Sequence, residues 1–142
     1  MKHLTLSLLV FLLLSCSKEK SETSGDFELN KNKWEALAID SYSYTFEISC
    51  FCIREFTQPK AVQVVNGELK MVNGLPYNKD EHSGILTIDQ LFNVIEKAQK
   101  DNVHTLEVTY DPEKGYPATV YIDWEAMIAD EEMGYYVSDL KD

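Results

Sequence analysis

Two cysteines one residue apart, Cys50 and Cys52, hold the most reactive chemistry in this chain. A Cys-x-Cys pair can close a disulfide, remain as two thiols, exchange with other thiols or hold a soft metal. The pair ends a run in which Tyr42, Tyr44, Phe46, Ile48, Cys50 and Cys52 alternate with Ser43, Thr45, Glu47, Ser49 and Phe51. Such alternation is a strand with one face on a core, so both sulfurs point inward. Along extended backbone their Cα atoms stand about 6.5–7 Å apart, at the upper edge of disulfide geometry. A bend after Ile48 brings them within reach. Three readings stay open: a structural disulfide at the strand end, two reduced thiols packed in the core, and a redox-active or metal-binding pair. So small a ring gains little from chain entropy, and Arg54 is the one cationic neighbour that favours a thiolate. The structural disulfide is the expectation.

A second constellation lies in the C-terminal third, where Asp111, Glu113, Asp123, Glu125, Asp130, Glu131 and Glu132 are interleaved with Tyr110, Tyr116, Tyr121, Tyr135 and Tyr136. Tyrosine offers a large contact area with a hydrogen-bonding tip. The candidate binding surface is therefore Tyr110, Asp111, Gly115, Tyr116, Asp123, Asp130, Glu131 and Glu132. Calcium takes six to eight oxygens, and carboxylates gathered at one sheet end would supply them, though the spacing is not that of an EF-hand loop. The plainer account is that Asp111-Pro112 opens a turn, with Gly115 at a positive φ, and that strands favour aromatics. Outside the first 15 residues the only histidines are His82 and His104, and neither sits in a nucleophile motif. No phosphate-cradling glycine loop and no zinc spacing is present. The expectation is a protein that is not an enzyme and holds no cofactor, calcium being the one candidate ion.

The N-terminus says where this chemistry takes place. Lys2 and His3 precede an apolar run, Leu4–Leu14, followed by Ser15 and Cys16. That is a secretory signal, too short for a transmembrane helix of about 20 residues. Leu13-Leu14-Ser15-Cys16 resembles a lipobox, so residues 1–15 are expected to be removed and Cys16 to carry the lipid. Ser17 in place of aspartate favours the outer over the inner membrane in a Gram-negative cell. Ser17-Lys18-Glu19-Lys20 looks somewhat like a surface-export tag. Residues 16–29 read as the lipidated cysteine and a flexible polar tether, and residues 30–142 as one domain. A formal net charge of −11 argues against nucleic acid and against anionic lipid as a docking partner.

The elements that must position these residues follow from pattern. Asn30 or Asn32 caps a short helix carrying Trp34, Leu37 and Ala38. Asn66-Gly67 joins Ala61–Val65 to Glu68–Val72 in a type I′ hairpin that sets Val65 against Glu68, Val64 against Leu69 and Val62 against Met71. Residues 73–86 read as an exposed loop. Thr87 and Gln90 form a capping box for a helix whose apolar face is Ile88, Leu91, Phe92, Ile95 and Ala98. Strands follow around Leu106–Tyr110, Val120–Trp124 and Tyr135–Leu140. The fold class is α+β: a mostly antiparallel sheet of about five to six strands with one main helix on one face, plus the short N-terminal helix.

Tyr42-Ser43-Tyr44-Thr45-Phe46, Cys50-Phe51-Cys52, Tyr110-Asp111-Pro112 with Gly115-Tyr116-Pro117, and Asp130-Glu131-Glu132 occur in that order. In this combination, over roughly residues 33–140, the chain resembles the bacterial family called domain of unknown function 6174, many of whose members look like lipoproteins. Ile53 departs from the pattern by standing where a proline follows the Cys-x-Cys. The resemblance implies the domain boundaries and brings no activity with it. The functional expectation is a membrane-anchored envelope lipoprotein, a non-enzymatic binding or structural module for an unknown envelope protein or ligand. The alternative is a thiol-redox or metal-sensing lipoprotein using Cys50 and Cys52.

Overall fold

The alternation that begins at Tyr42 builds the middle of the molecule. Tyr42, Tyr44, Phe46 and Ile48 are buried on one face of that strand, while Ser43, Thr45 and Glu47 face the other way, partly exposed. The computed structural model describes residues 24–128 and 130–142. In chain order the elements among them are α1 (Ser24–Ala36), β1 (Tyr42–Ser49), α2 (Arg54–Thr57), β2 (Lys60–Val65), β3 (Glu68–Val72), β4 (Leu75–Pro76), α3 (Ile88–Asp101), β5 (Thr105–Tyr110), β6 (Pro117–Asp123) and β7 (Met133–Lys141). The seven strands form one antiparallel sheet in the order β4-β3-β2-β1-β7-β6-β5. With α1 and α3 packed on a single face, this is the two-layer α+β architecture expected, one strand richer than foreseen.

The extra strand has a local cause. Asn73 and Gly74 take φ of 51° and 77°, repeating the left-handed pair at Asn66 and Gly67 (52° and 75°). A second Asn-Gly turn thus folds Leu75-Pro76 back onto β3, where an exposed loop was expected. The first hairpin opens in the expected register, Val65 against Glu68 and Val64 against Leu69, and then slips at a bulge. Val62 consequently faces Val72, not Met71, and Val72 is the side chain that becomes buried.

α3 forms as its signals dictate. The Thr87 hydroxyl accepts from the Gln90 amide, the Gln90 side chain accepts from the Thr87 amide, and Ile88, Leu91, Phe92, Ile95 and Ala98 are all buried. α1 starts earlier than its sequence implied, so that residues 24–29, read as tether, are helical. The reason is Phe27, which is buried and meets Phe92 edge-on at 6.0 Å. Farther along α1, Trp34 packs against Tyr42 and Tyr116 and donates from Nε1 to Asp89 Oδ1 at 2.9 Å. Leu37 falls beyond the helix end and is exposed.

Two tyrosines fasten α3 to β1. The Tyr42 hydroxyl accepts from the Ile88 amide at 3.0 Å, and the Tyr44 hydroxyl donates to the Leu86 carbonyl. Burial pushes Tyr42 up to about 12 and raises Tyr44 and Tyr135 in the same direction. In the unfolded chain these hydroxyls ionise near pH 10. Below that pH both states are neutral and the contribution to stability is complete. Above it the unfolded chain releases protons that the fold retains, so stability falls as pH climbs through 10 toward 12. The melting temperature should change little between about pH 7 and 9 and drop above about pH 10, the tyrosinate absorbance of the buried Tyr42 and Tyr44 appearing together with unfolding. Ionisation of all eight tyrosines while the fold stays intact would contradict this.

Candidate functional site

The site is built where β1 runs out. The strand ends at Ser49, and the Cys52 amide then donates to the Cys50 carbonyl at 2.8 Å, a γ-turn centred on Phe51. This turn is the bend that the Cys-x-Cys spacing required. It brings the Cα atoms to 5.2 Å, and Cys50 and Cys52 are joined in a disulfide. The inward direction expected for both sulfurs holds only for Cys50, which packs against the core; Cys52 is exposed. Because residues 50 and 52 are drawn together, the residue between them is pushed out, and Phe51 is 82% exposed.

The rest of the loop is fastened from the other side. The Lys60 ammonium, at the start of β2, donates to the carbonyls of Glu55, Phe56 and Gln58 at 2.8–3.1 Å. It thereby takes up carbonyls around the end of the short α2, and partial burial lowers its pKa. Between disulfide and lysine the loop presents Phe51, Ile53 (64% exposed) and Phe56 to solvent. Apolar side chains standing together outside a core are uncommon unless something docks on them. Phe51, Cys52 and Ile53 line a shallow depression there.

The acidic and aromatic candidates do not form one surface. Tyr110 pairs with Pro117 and Thr105 with Asp123, so Tyr110, Asp111, Gly115 and Tyr116 lie at one end of β5 and β6 and Asp123 at the other, about 17–20 Å away. The first group seats α1. Asp111 Oδ1 accepts from the amides of Glu113 and Lys114, Gly115 takes φ +80° as its turn demands, and Lys33 of α1 donates to the Pro112 carbonyl. Tyr116 is buried beside Trp34, and Tyr110 stacks on Phe92.

Asp123, the last residue of β6, and Asp130, Glu131 and Glu132 of the β6–β7 connection lie at the same end of the sheet as the cysteines, since Ser49 pairs with Gly134 and Ile122 with Met133. The same connection exposes Met127 and Ile128. Asp123 Oδ2 stands 3.9 Å from His104 Nε2, while Asp123 Oδ1 and Glu131 Oε1 are buried with no hydrogen-bond partner among the described residues. Among those residues no three His, Cys, Asp or Glu side chains are gathered as metal ligands would be. His82 does local work in its loop, its Nδ1 accepting from the Asn78 amide and its ring stacking on Tyr77. Of the C-terminal tyrosines, Tyr121 and Tyr136 are the two that stand substantially exposed, on adjoining strands of the sheet.

The apolar tip escaped the sequence reading, yet one signal for it was visible. Phe51 occupies the water-facing side of an alternation otherwise filled by Ser, Thr and Glu. Cys16 and residues 1–15, on which the expectation of export rests, lie outside the described residues. The chain belongs to the family of unknown function DUF6174, which matches residues 26–142. No curated protein and no solved structure matches it.

Proposed function

We propose that this member of the family is an exported, lipid-anchored module of the bacterial envelope that works by binding a protein partner and not by catalysis. The observation that carries the reading is the tip at residues 50–56, an apolar platform held in shape by a disulfide and a lysine and left facing water. Ordering such a loop costs conformational entropy, and exposing its apolar side chains forgoes burial. A surface that docks a partner recovers both. The net charge of −11 favours protein over anionic lipid or nucleic acid as that partner.

The anchor sets the range of action. Only residues 17–23 separate Cys16 from α1, and seven extended residues span at most about 25 Å. Acyl chains contribute about 0.8 kcal/mol per buried methylene, so a diacylated cysteine stays on the membrane. The domain would then work within roughly its own diameter of the bilayer, a radius of gyration of about 13 Å being usual for this size.

Expressed in a bacterium, the full chain should incorporate labelled palmitate and lose residues 1–15, whereas Cys16→Ala should do neither. Label on the variant, or none on the parent, would remove the anchor from the proposal. For the tip, a photo-crosslinking residue at position 51 should yield a discrete protein adduct in cells. At Leu29, also exposed on α1, it should yield none. Equal adducts at both positions, or none at 51, would overturn the tip as the docking surface.

A further inference from the structure

We propose that the Cys50–Cys52 disulfide is a thiol-exchange site, attacked at Sγ of Cys52 by a thiolate of a cysteine-containing envelope protein. The inference rests on the reading above for its compartment and its docking surface, since the pair persists as a disulfide only where the surroundings are oxidising.

The two sulfurs are placed unequally. Cys50 packs against the core and Cys52 faces solvent, so an incoming thiolate meets Cys52 first and Cys50 becomes the leaving sulfur. Phe51 and Ile53 flank the exposed sulfur with apolar surface, on which the chain around a partner cysteine can lie with water excluded. Arg54, two residues after Cys52, is the one cationic side chain beside the pair in the sequence, and positive charge there favours a thiolate.

The bond is also poorly suited to be a staple. A ring of three residues contributes, through chain entropy, about half of what a fifteen-residue loop does. β1 is already paired by β7 as far as Ser49, and Lys60 holds the loop carbonyls whether or not the sulfurs are joined. Opening the disulfide therefore leaves the sheet and the backbone of residues 55–58 in place, and frees the turn at residues 50–52. Exposed disulfides that stabilise little are the labile ones.

The exchange balances without any further reagent. The partner thiolate bonds to Cys52 Sγ, the Cys50–Cys52 bond breaks, and Cys50 Sγ leaves as a thiolate that takes up a proton. A second thiol of the partner gives up its proton and attacks the partner sulfur in the mixed disulfide, releasing the Cys52 thiolate, which is protonated in turn. Two electrons and two protons have passed from the partner dithiol to the cysteine pair, and the partner leaves as a disulfide.

The test uses the full chain as the bacterium makes it, whether or not it carries lipid, extracted in detergent, with glutathione as the probe. In millimolar reduced glutathione at neutral pH, without denaturant, the pair should open and accept two alkyl groups by mass. The melting temperature should fall by only about 5–8 °C. Cys50→Ser, which keeps Cys52, should form a mixed disulfide with oxidised glutathione roughly tenfold faster than Cys52→Ser, which keeps Cys50. A pair that opens only in denaturant, or a collapse of the fold on reduction, would show a structural staple and overturn the proposal. Equal rates for the two variants would overturn the assignment of Cys52 as the attacked sulfur. None of these outcomes depends on palmitate labelling or on the crosslink at position 51, so failure of the anchor or the docking surface is seen separately.

Discussion

Phe46→Ala should be among the most damaging single substitutions in this protein, lowering stability by roughly 3–5 kcal/mol. Phe46 is 1% exposed on β1, the middle strand of the sheet, with Tyr44 edge-on at 6.0 Å and Tyr135 stacked at 6.2 Å. Removing the ring forfeits its transfer free energy and leaves a cavity between two tyrosines that are themselves held. Tyr44 is fastened to the Leu86 carbonyl, and Tyr135 is paired on both sides within the sheet, to Ile48 and Val120. Neither is free to collapse into the gap, which places the cost in the upper part of the range. A domain of this size commonly has about 5–15 kcal/mol in total, so the variant should melt well over 10 °C lower. Ile53→Ala, at the exposed tip, should change stability by less than about 0.5 kcal/mol. Thermal unfolding of the two variants side by side is the check, and a small effect at Phe46 would mean that the sheet repacks across β1.

Gly115→Ala should cost about 2–4 kcal/mol, far more than one methyl group on a surface turn usually does. Two causes add. Gly115 sits at φ +80°, where an L side chain is disfavoured by about 1–2 kcal/mol. A Cβ there would also stand 2.7 Å from the Asn30 carbonyl oxygen and 3.0 Å from Lys33 Cβ, both on α1. The near atom is helix backbone and not a flexible side chain, so α1 and the turn must move apart, loosening Trp34 from Tyr116. Gly67→Ala is the control, because it shares the left-handed backbone at φ +75° and has nothing within 4 Å of the new methyl. The excess of the first cost over the second measures the contact between turn and helix. Equal costs would show that α1 is not seated on this turn.

Thiol exchange at Cys52 and docking at the tip make compatible demands on the same few side chains. The disulfide fixes the turn that carries Phe51 and the lysine clamp fixes the backbone that carries Phe56, which lowers the entropy lost when a partner docks. The same arrangement leaves Cys52 at the centre of the contact. Acidic residues of the β6–β7 connection border this end of the sheet, so a partner with basic residues beside its cysteines would be matched in charge as well.

Local pattern alone determined much of the molecule. The alternation from Tyr42 to Ile48, the capping box at Thr87 and Gln90, the apolar stripe of α3 and the left-handed Asn66-Gly67 turn are each decided by residues within a few positions of one another, and each forms as read. Gly115 was legible for the same reason, since a turn that needs positive φ writes glycine into its sequence. What involved distant partners was not legible. α1 extends back to Ser24 because Phe27 finds Phe92, 65 positions away, and nothing in the neighbourhood of Phe27 announces that contact. The bulge that exchanges Met71 for Val72 answers to the sheet's twist and core, not to the hairpin turn. The acidic and aromatic residues of the C-terminal third look like one cluster in the chain, yet antiparallel pairing carries half of them to each end of β5 and β6. The exposure of Cys52 and Phe51 is a property of the same kind. Spacing showed that two cysteines one residue apart can be joined only if the backbone bends, but which sulfur is left facing water was decided by the core that holds the other.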